Sequence, residues 1–70
     1  MQYLVIVEKG QTSFGADVPD LLGCVAVGST RGEVLALIHE IIELHIDGTK
    51  EDGRPIPPPS SQSELIEIAA

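Results

Sequence analysis

The segment from His39 to Glu43 carries the side chains that come nearest to a known catalytic pattern, and it reads His39-Glu-Ile-Ile-Glu43. A zinc-protease helix needs a second histidine four residues after the first, because both imidazoles must reach one ion from the same helix face. Glu43 occupies that position here. We therefore interpret His39 and Glu43 as a surface pair one helical turn apart, and His45 as a structural residue near a helix C-terminus.

The remaining reactive side chains are one cysteine and a set of carboxylates. Cys24 adjoins a glycine at the start of a strand-like run and lacks the base that would activate a nucleophile, so we expect it to be buried as a small apolar residue. Glu8, Asp17 and Asp20 have the oxygen ligands that Mg²⁺ prefers. Carboxylates at strand ends also serve as ordinary solvated groups, so we predict no catalytic residue, metal or cofactor.

The balance of charge favours a protein partner. Eleven acidic residues against four basic ones give a formal net charge of −7, whereas phosphate binding needs clustered lysine and arginine. We therefore expect no direct binding to DNA or to a membrane surface, and a partner that is basic. The N-terminus lacks the features of a signal peptide and no apolar run approaches the ~20 residues of a membrane span, so we expect a cytoplasmic protein.

The length predicts a single domain over residues 1–70 that gains stability from association. A domain of this size buries only about 60% of its unfolded surface, and such domains usually add a disulfide, a metal or a second subunit. The single cysteine excludes an internal disulfide, and no cysteine and histidine cluster suggests structural zinc. Elimination leaves a homo-oligomer.

One segment has a clear helical period, and it begins with a capping box formed by Thr30 and Glu33. Apolar residues recur at intervals of three and four from Val34 to His45, which is typical of one buried helical stripe. Gly48 is predicted to end the helix, because a glycine in the left-handed conformation is common at that position. We predict an amphipathic helix from Thr30 to Asp47 that covers one face of a small sheet.

Four segments have strand patterns, at residues 3–7, 12–18, 24–27 and 64–68. With the helix between the third and the fourth, the element order is β-β-β-α-β. Short loops make the first three strands an antiparallel meander, and a right-handed crossover places the fourth beside the first. The sequence thus predicts an α+β fold with a four-stranded mixed sheet of order 3-2-1-4.

The single helix leaves one sheet face uncovered, and such a face usually marks an interface. Between the helix and the last strand, Pro55-Ile-Pro-Pro-Pro59 contains a P-x-x-P match. We interpret this segment as a rigid extended connector rather than as a ligand for an aromatic groove.

Three ordered motifs resemble those of the HicB antitoxin family, and together they cover nearly the whole chain. They are Pro19-Asp20-Leu21-x-Gly23-Cys24, Gly28-x-Thr30-x-x-Glu33 and Gly53-x-x-Ile56-Pro57-x-Pro59. The structural positions that we assign to this pattern are Pro19, Gly23, Gly28, Thr30, Glu33, Gly48 and Pro57. Val34 departs from the alanine that is usual in the family, and Gly32 weakens the first helical turn.

The resemblance implies a partial RNase H-like fold without catalytic carboxylates, and a non-enzymatic role in a toxin–antitoxin pair. The implied partner is a HicA-like toxin, a small basic mRNA-cleaving protein whose catalytic histidine the antitoxin covers. From charge placement we expect Glu8, Asp17 and Asp20 to contact it. We expect no DNA-binding domain after residue 70. The alternatives are an orphan oligomeric interaction domain and a relic Mg²⁺-dependent nuclease that uses the same three carboxylates.

Overall fold

The computed structural model describes residues 2–69. It contains three short strands followed by one long helix, in the order β1, β2, β3, α1. The bounds are Ile6–Lys9 for β1, Phe14–Asp17 for β2, Val25–Gly28 for β3 and Arg31–Glu51 for α1. β2, β3 and the helix therefore lie close to their predicted positions, whereas β1 begins three residues later than predicted.

The three strands form one antiparallel sheet with β2 in the centre. Ala16 of β2 lies opposite Val7 of β1 and Ala26 of β3, so the three residues share a face. The helix packs on that face through β2 and β3. Phe14 and Ala16 of β2 thus lie on the inner side of the sheet, and Gly15 and Asp17 lie on the outer side.

The prediction of a four-stranded mixed sheet with order 3-2-1-4 is wrong. Residues 64–68 form no strand, and the sheet contains β1, β2 and β3 alone in the described residues 2–69. The segment has strand-forming residues, but a strand also needs a neighbouring backbone to satisfy its N–H and C=O groups. In the chain as folded, residues 64–68 have no such neighbour.

The helix begins where the sequence predicts and ends one turn later. The Thr30 hydroxyl accepts a hydrogen bond from the Glu33 N–H at 3.1 Å, which is the N-terminal cap. The helix then continues through Gly48 to Glu51, so the prediction that Gly48 ends it is wrong. Thr49 explains the extension, because its side chain is buried and its hydroxyl donates to the His45 carbonyl at 2.8 Å. Gly53, at φ +71°, takes the left-handed position.

The core lies between α1 and the inner face of the sheet. Its most deeply buried large side chains are Leu21, Val34 and Ile38. Leu21 enters the core from the β2–β3 loop, where Val18 and Cys24 are joined by a backbone hydrogen bond of 3.3 Å. Gly23 adopts φ +86° in this loop, a conformation that glycine accepts without strain. The loop thus closes one end of the core with an apolar side chain.

After α1 the chain continues without a helix or strand through residue 69. The Tyr3 hydroxyl donates to the Pro57 carbonyl, which ties the connector to the residues that precede β1. Beyond Ser61 the chain is exposed throughout. The radius of gyration is 14.0 Å, against about 11 Å for a compact chain of this length, because the last residues project from the body.

Candidate interaction surface

The sheet face opposite the helix is exposed, and we call it the outer face. It is built by alternation, because every second residue of each strand points away from α1. Its members are Ile6 and Glu8 of β1, Gly15 and Asp17 of β2, and Val25 and Val27 of β3. Val25 and Val27 are 62% and 70% exposed, which is far more than core valines show. An apolar surface of this kind is typical of a binding site.

Glu8 and Asp17 share the outer face. Glu8 lies opposite Gly15, and Asp17 lies opposite Ile6 and Val25, so the two carboxylates are diagonal neighbours on adjacent strands. Gly15 has no side chain, and a shallow depression lined by Glu8, Asp17 and Val25 lies over it. The outer face therefore combines negative charge with exposed aliphatic surface.

Asp20, the third predicted contact, has a different environment. It lies in the β2–β3 loop and borders a depression formed with His45 and Thr49 near the C-terminal end of α1. Its Oδ2 accepts the backbone N–H groups of Ser60 and Ser61, both at 2.9 Å. Its Oδ1 accepts the two serine hydroxyls, at 3.0 and 2.8 Å. We call this arrangement the Asp20 anchor, because it fixes the connector to the loop.

The anchor stabilises the ionised form of Asp20. The backbone N–H groups of Ser61 and Ser60 are the main cause, and they lower the pKa of the carboxyl group from 3.8 to about 2. The serine hydroxyls act in the same direction. Asp20 is thus already engaged within the chain, whereas Glu8 is exposed and Asp17 is half-buried on the outer face.

The His39–Glu43 pair and Cys24, which come nearest to catalytic groups in the sequence, have structural roles. His39 Nδ1 lies 3.1 Å from Glu43 Oε1, and both side chains are exposed, so they form the predicted surface pair. Cys24 is 2% exposed, as predicted, and its burial raises the pKa of the thiol. Within residues 2–69 no group of three or more histidine, cysteine or acidic side chains is placed to hold a metal ion.

Two parts of the site were missed from the sequence. Val25 and Val27 were assigned to the third strand without a face, although the small residues Cys24 and Ala26 alternate with them and indicate which side is buried. The partners of Asp20 were not predicted either. Ser60 and Ser61 are about forty residues away along the chain, and no local pattern indicates a contact over that separation.

The chain is a small α+β domain whose outer face combines two carboxylates with exposed aliphatic side chains. Comparison with known families identifies the family to which it belongs. Residues 3–69 match the HicB-like antitoxin family of bacterial toxin–antitoxin systems, and the chain belongs to that family. The resemblance drawn from the three sequence motifs is thereby confirmed.

Two relatives extend this finding. A protein named antitoxin HicB 2 from Photorhabdus laumondii subsp. laumondii is 34% identical to the chain, over 100% of the chain and 51% of its own length. An uncharacterised 14.9 kDa protein from Haemophilus phage HP1 is 35% identical over 81% of the chain and 43% of its own length. The chain thus spans about half the length of these curated relatives.

No solved structure matches the chain, so the likeness to RNase H stays a prediction. The helix α1 is also too polar to qualify as a membrane span, and the described residues contain no helix that does.

Proposed function

We propose that this chain is an antitoxin that binds a HicA-like toxin through the outer face and blocks its access to mRNA. The observation that carries the proposal is the placement of Glu8 and Asp17 on one exposed face, beside Val25 and Val27. Membership of the family supports a toxin partner. The implied toxin is basic because it binds RNA, and its basic surface complements two carboxylates.

The two kinds of side chain on the outer face contribute differently to binding. Carboxylates speed the encounter with a basic partner and select its orientation. Exposed valines lose water when the partner docks, at roughly 25 cal/mol per Å² of apolar surface, and this burial holds the complex together. A surface with both properties suits a stable inhibitor better than a surface with charge alone.

The proposed action needs no catalysis by this chain. Covering the toxin's RNA-binding surface is sufficient for inhibition, and the antitoxin family to which the chain belongs supports such a role. We propose a cytoplasmic location because the implied toxin cleaves mRNA there. We also propose that the chain forms a homo-oligomer.

The test uses a small basic HicA-like protein, sought first in the open reading frame beside this gene. The chain and this protein are produced together, and binding is measured by titration calorimetry while toxin activity is followed by growth arrest. The double variant Glu8→Lys, Asp17→Lys reverses the charge of the outer face, and we expect its dissociation constant to rise about tenfold or more. Growth is then no longer protected.

The matched control is Glu40→Lys, Asp47→Lys, which makes the same charge change on exposed positions of α1. It should leave binding within about twofold of the unchanged chain, since these positions lie away from the outer face. Equal loss of binding in both double variants would show that net charge alone matters. If the HicA-like protein does not bind the chain at all, the proposed partner is wrong, and the chain is an interaction domain for another partner.

A further inference from the structure

The last residues of the chain form an exposed apolar arm, which we define as residues 62–69. Leu65, Ile66 and Ile68 are 102%, 76% and 75% exposed. The arm projects from a fixed point, because the Asp20 anchor holds Ser60 and Ser61. Three large aliphatic side chains in water on one short segment are costly for a domain with so small a core.

An apolar groove lies on the other side of the same structure. It runs between α1 and the residues that precede β1, has a volume of about 400 Å³, and is open to solvent along one side. Its lining is mostly aliphatic, with the His39 and Glu43 pair at the rim. The aliphatic and aromatic members are Tyr3, Val5, Leu35, Ile38, Ile42 and Ile46.

The arm and the groove have compatible dimensions. From Leu35 to Ile46 the groove follows α1 for roughly 17 Å, at 1.5 Å per residue. Residues 64–68 in extended form span roughly 13 Å, so the groove is long enough to hold them. In that form Ile66 and Ile68 share one side of the segment and Leu65 lies on the other side.

We infer that the arm of one chain fills the groove of a second copy of this chain, and that the exchange is reciprocal. Each copy has one arm and one groove. In a dimer with a two-fold axis, both arms are therefore bound and both grooves are filled. The second copy is the occupant because the arm leaves its own body beyond Ser61 and remains uncovered there. This inference rests on the homo-oligomer of the proposed function and names the surfaces that form it, and it is independent of toxin binding.

The area is adequate for a stable dimer. A buried leucine or isoleucine side chain removes roughly 60–120 Å² of apolar surface from water. Six such side chains and the groove surface that they cover give about 700–1,400 Å² in total, near the ~1,000 Å² of the smaller specific interfaces. Two chains of net charge −7 repel each other, so the apolar contacts between arm and groove must drive association.

The first test measures the mass of the purified full chain by light scattering, without any toxin. We expect twice the chain mass of 7.4 kDa. The arm variant Ile66→Glu, Ile68→Glu should raise the dissociation constant about 100-fold or more, because each lost side chain is present twice in the dimer. The matched control Leu44→Glu alters an exposed leucine of α1 outside the groove and should leave the mass unchanged.

The second test distinguishes exchange from other modes of association. A groove variant, Ile46→Glu, keeps a normal arm, while the arm variant keeps a normal groove. Each variant should be monomeric alone. Their mixture should form a heterodimer, because the normal arm of the groove variant can bind the normal groove of the arm variant. Circular dichroism shows whether Ile46→Glu remains folded, and Leu35→Glu replaces it if it does not.

A monomeric unchanged chain, or a dimer whose mass is insensitive to the arm variant, would overturn the inference. So would an arm variant that unfolds at lower temperature but does not change mass, because the arm would then be seated in its own groove. Since no toxin is present, these outcomes leave the proposed toxin binding unaffected.

Discussion

Gly28 lies directly beneath the first turn of α1, in contact with the backbone of Val34. A Cβ atom at Gly28 would stand 3.0 Å from Val34 N and 3.2 Å from Val34 Cα. Both are backbone atoms of a capped helix, so neither can turn aside. The absence of a side chain at Gly28 therefore sets how closely the helix approaches the end of β3.

The first prediction concerns this contact. Gly28→Ala should destabilise the domain by about 1–3 kcal/mol, which is usual for overpacking, and lower Tm by several degrees. Gly15→Ala is the matched control, because a Cβ there meets only Ala26 O at 3.9 Å. Thermal unfolding followed by circular dichroism measures both. If the two variants unfold together, the close approach of α1 to β3 does not limit stability.

The second prediction concerns the Asp20 anchor. In Asp20→Ala both acceptor oxygens are removed, so the backbone N–H groups of Ser60 and Ser61 lose their partner. We expect amide hydrogen exchange at these two serines to rise at least tenfold. Asp47→Ala, on an exposed position of α1, is the control. Unchanged exchange in Asp20→Ala would mean that the connector is held mainly by the hydrogen bond between Tyr3 and Pro57.

The third prediction is the pH dependence of the same anchor. The pKa of Asp20 is about 2 in the folded chain and 3.8 for a free side chain, so the ionised form is favoured by folding. Its stabilising effect is complete above about pH 4 and is lost as the pH falls towards 2. The amide resonances of Ser60 and Ser61 should shift with a midpoint near pH 2. A midpoint near 3.8 would show that the carboxylate gains nothing from the serines.

The fourth prediction concerns the approach of a basic partner to the outer face. Charge attraction acts over about 30 Å at 0.01 M salt and about 3 Å at 1 M. The association rate with a basic HicA-like protein should therefore fall with added salt, and Glu8→Gln with Asp17→Asn should flatten this dependence. Stopped-flow mixing measures the rate, with Glu40→Gln and Asp47→Asn as the control pair. An equal slope in all three proteins would exclude steering by the outer face.

Local patterns predicted the three strands, the helix start and the buried positions of the inner face. Thr30 and Glu33 are three residues apart, and the buried residues Ala16 and Val18 are two residues apart. Both relationships are local, so the spacing in the sequence is sufficient to predict them. The fourth strand failed for a different reason. Residues 64–68 carry the composition of a strand, but composition does not identify the backbone with which a strand pairs.

The candidate site was predicted to a similar extent. Glu8 and Asp17 were selected from charge, and the register of β1 and β2 places them on one face. Asp20 was selected on the same ground, yet Ser60 and Ser61 engage it from far along the chain. Contacts over such a separation depend on the path of the connector past Tyr3. That path cannot be predicted from the spacing of residues in the sequence.

The last prediction tests the corrected end of the helix. Gly48 lies inside α1, and a Cβ there would meet no atom within 4 Å. Alanine is favoured over glycine in a helix interior by about 1 kcal/mol, so Gly48→Ala should raise the free energy of unfolding. Gly53 has φ +71°, where a side chain is strained, so Gly53→Ala should lower it by about 1 kcal/mol. Urea unfolding of the two variants measures both changes. Changes of opposite sign in the free energy of unfolding would place the left-handed residue that ends the helix at Gly53. A loss of stability in Gly48→Ala would instead place the end of the helix at Gly48 and leave Thr49 outside it.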